Sequence, residues 1–111
     1  MAKVGFLTAA LGMLAGATGS FDLDGHQARS LVKDGAKLVD VRTPAEYGGG
    51  HIEGAINIPL DQLAGRMTEL GDKAEPIIVY CRSGGRSGKA KQQLQAAGFE
   101  EVYNLGPMTA W

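Results

Sequence analysis

The chain predicts an α/β protein: a mostly parallel sheet of about five strands, with helices on both faces in three layers. Two observations carry this. Short apolar, β-branched runs alternate along the chain with stretches of helical spacing, the order that builds strand–helix–strand units. The run from Pro76 to Cys81, PIIVYC, is apolar almost without interruption, as a central strand buried on both faces is. At 111 residues the chain holds one modest core, with no room for a second domain of ordinary size.

Each element has its own signal. LDGHQARSLVKDG reads as a helix, with Asp24 as its cap, Gln27 three residues on and Gly35 as its stop. AKLVDVR is a short β-branched strand. TPAEYGGGH opens with a capping box, Thr43 to Glu46, has Pro44 at the first helical position, and ends on Gly48 to Gly50. AINIP is a second strand, stopped by Pro59. LDQLAGRMTELGDK sets Leu60, Leu63, Met67 and Leu70 at three- and four-residue spacing, which predicts one apolar helix face. RSGKAKQQLQAAGF predicts a helix with Ala90, Leu94 and Ala97 inward and Gly98 as its stop. EEVYNL is a further strand, and PMTAW begins a last helix that is cut short at Trp111.

The domain occupies residues 21–111, and the segment before it, 1–20, reads differently. It carries one cation, Lys3, and no further charge before Asp22. Val4 to Ala17 suits the core of an export signal, and Ala15-Gly16-Ala17 resembles a cleavage site. It is short and glycine-rich for a membrane span, which takes about 20 apolar residues. Gly12 and Gly16 could seat a packed partner helix, so membrane association through residues 4–21 and a helix docked on the domain stand beside export as readings. The expected location is therefore periplasmic or membrane-associated, with a cytoplasmic protein as the alternative.

Composition excludes some partners. A net charge of −1 lacks the basic surplus that nucleic-acid backbones demand. One cysteine excludes an internal disulfide and a cysteine-rich metal cluster. Nothing in the pattern calls for a cofactor. His26 lies far from His51 in sequence, so no metal site is expected, and His51 reads as a hydrogen-bonded structural residue.

The single thiol is the informative residue. Cys81 ends a predicted strand, a glycine-containing loop follows, and then a helix starts, the place where open α/β sheets carry their sites. Backbone N–H groups from Arg82 to Ser87 can form an anion-binding nest there, with the positive end of the helix dipole behind them. Gly84 and Gly85 permit the tight turn, and Arg82 and Arg86 add charge. Cations are disfavoured beside that end of a helix, so an anion should lie near them. A thiol in this setting falls below its usual value of about 8.5 and acts as a nucleophile without a histidine base. The loop from Cys81 to Arg86 is C-x-x-x-x-R. Cysteine phosphatases carry a loop longer by one residue around a tetrahedral phosphate, and the shorter loop suits a single sulfur atom better.

From Leu38 to Trp111 the chain resembles a single-domain rhodanese, in LVDVRTPAEYGGGHIEGAINIPL, IIVYCRSGGRSGKAKQQLQAAGFEEVYNL and GPMTAW. The resemblance implies a rhodanese-like three-layer fold and thiosulfate sulfurtransferase activity. It implies that Cys81 takes the outer sulfur of thiosulfate or a similar small anion and passes it, as a persulfide, to cyanide, a thiol or a protein thiol. Carried over by position, Arg82, Ser83, Gly84, Gly85, Arg86 and Ser87 form the substrate cradle, Arg86 helps anchor the loop, and Ser87 bonds the sulfur. One departure is Gly106-Pro107, where the family usually has two glycines; proline removes a donor and fixes φ.

Other polar residues have structural readings. Asp40 and Arg42 are expected to be structural, pairing with neighbours to set the strand end and the adjoining helix, and Glu46 to serve the capping box. Tyr47, Tyr80, Tyr103 and Trp111 are expected to fill the core or line the site. Two other functions compete with catalytic sulfur transfer: a persulfide carrier or sulfide-responsive module without turnover, and a small cysteine phosphatase or arsenate reductase.

Overall fold

A computed structural model describes residues 21–111; the expectations for 1–20 lie outside the described residues. Helix α1 is Gly25–Lys33, β1 is Lys37–Asp40, α2 is Pro44–Gly48 and β2 is Ile56–Asn57. Two short 3-10 segments, Leu60–Gly65 and Met67–Leu70, lead to β3, Ile77–Cys81. Helix α3, Gly85–Ala96, and strand β4, Val102–Pro107, follow, and a 3-10 turn at Met108–Ala110 closes the described chain. The strands lie in the order β2-β1-β3-β4 and all pair in parallel.

Side-chain alternation along β3 builds two cores. Ile77, Val79 and Cys81 face one side, with Ala90 and Leu94 of α3 and with Leu63 and Leu70. Ile78 and Tyr80 face the other, with Ala28 and Leu31 of α1 and with Ile52 and Ala55. A strand buried on both faces leaves no solvent side, so every side chain of β3 is apolar or aromatic, and all five are buried. Both predicted capping boxes form: Asp24 with Gln27 on α1, and Thr43 with Glu46 on α2. Each satisfies two amides that a helix start would otherwise leave open.

Three expectations change. About five strands were expected, and four are found in the described sheet. Beyond β4, Asp22 donates its N–H to Asn104 O (3.0 Å), but its own carboxylate takes the Asn104 N–H (2.7 Å). A side chain thus fills the rung that a fifth backbone would need. The segment from Leu60 is not one helix: Arg66, at φ −126°, ψ 17°, breaks it into two tight turns. The apolar face survives because Leu60–Leu63 and Met67–Leu70 are each three apart, which suits three residues per turn. Leu63 and Leu70 are fully buried, with Leu60 and Met67 packed against the same core. The last strand runs past Leu105 to Pro107, leaving only a single turn after it. Gly106 takes the left-handed φ (+87°) and Pro107 an extended one (−75°), so proline fits the second place without strain. Its missing N–H is harmless because β4 is the last strand of the described sheet.

This topology fixes where the chemistry sits. From β1 the chain winds outward to β2, then returns across β1 to β3 and winds the other way to β4. The reversal opens a crevice at the carboxyl ends of β1 and β3, the place where such sheets bind ligands.

Candidate active site

Cys81 is the last residue of β3 and is wholly buried. Its Sγ accepts the Gly84 N–H at 3.0 Å and the Ser87 N–H at 3.4 Å, and lies 3.4 Å from Ser87 Oγ. Gly84 is the cap residue of α3 and has no side chain to give; Ser87 is the third residue inside the helix. The sulfur therefore takes the amide that an ordinary capping side chain would take, at the positive end of a 12-residue helix. Gly84 sits at φ +104°, and a Cβ there would come within 2.5 Å of the Phe21 ring. Only glycine fits.

These contacts set the thiol's acidity. Burial pushes the Cys81 thiol up, yet the Ser87 hydroxyl and the N–H groups of Ser87, Gly84 and Ser83 together outweigh it and hold it below its ordinary value. Among the described residues the sulfur meets N–H donors and no carboxylate, a setting that favours its anionic form.

The two arginines differ. Arg86 directs its guanidinium at Glu46 of α2, with Nη1 to Oε1 at 2.7 Å and Nη2 to Oε2 at 3.0 Å. Glu46 also accepts the Thr43 N–H and hydroxyl, and the Arg86 bonds, with those of Thr43, lower its carboxyl to about 2. The anion expected beside Arg86 is thus a protein carboxylate, and Arg86 braces the loop and is not turned toward a ligand. Arg82 is exposed and has no ion-pair partner among the described residues. Ser83 and Gly85 are exposed beside it.

The other polar residues hold the frame. Arg42 Nη2 meets buried Asp40 Oδ2 at 2.7 Å and donates to Gly50 O, tying the end of β1 to the loop after α2. His51 stacks on Tyr47 (ring centroids 3.7 Å apart) and its Nδ1 lies 2.9 Å from Tyr47 O. Tyr80 and Tyr103 are buried, and Tyr47 and Trp111 pack against the same core. Sequence reasoning missed two neighbours of the loop, Phe21 and Asn104. Asn104 had one signal, a polar residue inside the apolar run VYNL; Phe21 had none.

A buried thiol that accepts backbone N–H groups, at the crevice of a parallel sheet, defines the class: an α/β protein whose candidate site is built on one cysteine. The chain belongs to the rhodanese-like domain family, whose model matches residues 24–111. It is 44% identical over 69 residues to thiosulfate sulfurtransferase PspE of Escherichia coli (strain K12), covering 61% of this chain and 66% of that protein. It is 48% identical over 77 residues to YqhL of Bacillus subtilis (strain 168), covering 68% of this chain and 60% of that protein. The matches thus span somewhat under two thirds of these two relatives. Among solved structures, a rhodanese with anions from E. coli superposes with a TM-score of 0.66 at 39% identity, covering 68% of this chain and 91% of that one.

Proposed function

We infer that the protein is a sulfurtransferase working through a Cys81 persulfide, with thiosulfate or a similar small anion as donor. One observation carries this reading: Gly84 and Ser87 aim backbone N–H groups at the Cys81 sulfur, so it can be held as an anion with no histidine base. In the first half-reaction the thiolate attacks the outer sulfur of thiosulfate. The S–S bond breaks, its electron pair leaves with sulfite, and Cys81 keeps one added sulfur carrying the negative charge. In the second, cyanide or a thiolate attacks that outer sulfur, takes it away and returns the Cys81 thiolate. No proton has to move in either half when the acceptor is an anion.

The chain's own groups supply the rest. The Gly84 and Ser87 amides hold the negative charge on the Cys81 sulfur before the first transfer and again after the second. The exposed guanidinium of Arg82 meets the sulfonate end of the donor. Arg86, braced by Glu46, keeps the loop in the shape that does this. The naming of the E. coli relative as a thiosulfate sulfurtransferase supports the choice of donor.

Incubation with thiosulfate is expected to add one sulfur to the intact mass, removable by cyanide with release of thiocyanate, and Cys81→Ser is expected to abolish both. Absence of adduct and thiocyanate would sink the reading. A stable adduct that passes its sulfur only to protein thiols would make the chain a carrier, and faster turnover of an aryl phosphate would make it a phosphatase. For location, the apolar segment before Asp22 supports an exported or membrane-bound protein. N-terminal sequencing from the native cell tests it: a start near Thr18 supports export, and an intact Met1 or Ala2 refutes cleavage.

A further inference from the structure

Gly84 is the hinge of the cradle. Its N–H points at the Cys81 sulfur, and its carbonyl, on the other side of the same Cα, receives three donors. Two belong to α3 itself: the Gly88 N–H at 3.0 Å and the Ser87 hydroxyl at 3.1 Å, whose single proton serves either this carbonyl or the sulfur. The third is Asn104 Nδ2, at 3.5 Å, reaching from β4. Glycine is the residue whose angles sterics constrain least, so outside contacts must fix the direction of its N–H. Donors within α3 move with the helix. Among the described residues that donate hydrogen bonds to this carbonyl, Asn104 alone ties it to the sheet that carries Cys81.

Asn104 is itself held at every polar atom. Its Oδ1 accepts the Gly106 N–H at 2.8 Å, its N–H donates to Asp22 Oδ2 at 2.7 Å, and its carbonyl accepts the Asp22 N–H at 3.0 Å. It stands where β4 gains one extra residue: Val79 pairs with Asn104, but Tyr80 pairs with Gly106. Such a bulge re-aims side chains next to functional sites. The amide packs beside α3, where a Cβ at Gly88 would meet Asn104 Nδ2 at an ordinary contact distance of 3.7 Å. A buried asparagine in an apolar strand costs stability unless it is bonded, and this one is bonded to the loop that holds the sulfur.

We propose that Asn104 is a positioning residue for Cys81: its side-chain amide, aimed by the bulge in β4, fixes the Gly84 peptide units so that the Gly84 N–H meets the sulfur. The proposal rests on Cys81 as the reacting group. The competing role, stitching the bulge through Gly106 alone, makes no use of the Nδ2 donor.

Two variants separate these roles. Asn104→Ser keeps an oxygen able to accept from Gly106 N–H but is too short to reach Gly84 O. Asn104→Leu keeps the bulk and removes both bonds. The readout is the pH profile of Cys81 alkylation by iodoacetamide, followed by intact mass, on protein with a cooperative melt. The charges around the site, Arg86 with Glu46, Asp40 with Arg42 and Asp22 with Lys91, are the same in all three proteins. In both variants the alkylation midpoint is expected to rise by about half to one pH unit, the scale of one lost hydrogen bond to the thiolate. With thiosulfate, kcat/KM should fall about threefold to tenfold at neutral pH. A wild-type alkylation profile in folded Asn104→Ser overturns the proposal, whether or not Asn104→Leu folds. A wild type that takes no sulfur from thiosulfate, with the midpoint still raised in the variants, refutes sulfur transfer and leaves the role of Asn104 standing.

Discussion

Arg86 and Glu46, 40 residues apart, join through two parallel hydrogen bonds of 2.7 and 3.0 Å. Arg86 lies in the first turn of α3 and Glu46 in α2, so the pair ties the two helices together. Glu46 completes a capping box at the same time, and one carboxylate thereby couples the start of a second helix to the sulfur cradle. The fork geometry of the guanidinium makes this a shape-specific brace, beyond what a point charge would give.

Glu46→Gln keeps the size and removes the charge. It is expected to lower kcat/KM for thiosulfate about tenfold, mainly through kcat, because the loop loses its brace while Arg82 is untouched. Steady-state kinetics of the folded variant check this. Acid unfolding gives a second reading. The Glu46 carboxyl lies at about 2 in the folded protein, against an ordinary 4.5. Its contribution is therefore complete above about pH 4.5 and is lost as pH falls toward 2. Between those values the wild type should lose more stability than Glu46→Gln.

The thiol is expected to titrate below the ordinary value of a free cysteine, because its burial is outweighed by the Ser87 hydroxyl and the N–H groups of Ser87, Gly84 and Ser83. Alkylation rate against pH, read by intact mass, should show a midpoint on the acid side of that value. Because the folded state favours the thiolate, this contribution to stability is present above the unfolded thiol's pKa. It fades as pH falls through the folded one. Cys81→Ser should flatten that part of the stability profile.

Gly84→Ala forces a left-handed φ of +104° on a residue with a side chain and drives a methyl into the Phe21 ring. The cost is expected to be about 2 kcal/mol or more, which for a domain of this size lowers Tm by roughly 8 °C or more. Thermal melts test it. Gly85→Ala, where nothing lies within 4 Å of the added carbon and the backbone is helical, should leave Tm within about 2 °C of wild type.

Arg82→Gln should raise KM for thiosulfate roughly twofold to fivefold, the scale of one exposed ion pair, with kcat and Tm nearly unchanged. An equal change in KM for a neutral sulfur donor would show that Arg82 does not read the anion's charge.

Local chemistry was legible in the sequence, and distant pairing was not. The strand ending at Cys81, the glycine loop, both capping boxes and the alternation that buries β3 all depend on neighbours within a few residues. The partner of Arg86 sits 40 positions upstream, and only the fold brings it in. Asn104 and Phe21 reach the loop from 20 or more residues away. The stripe from Leu60, spaced by three, four and three residues, fits one helix as well as two tight turns, and only the break at Arg66 separates them.

The sulfur that caps α3 ties the beginning of a helix to the chemical state of one atom. When Cys81 carries a second sulfur, the negative charge moves outward by about 2 Å, one S–S bond length. The amides of Gly84 and Ser87 then face an inner sulfur that is nearly neutral. Loaded and empty protein should thus differ in how firmly the first turn of α3 is wound. Amide exchange at those two positions becomes a gauge of cargo, readable without any acceptor present.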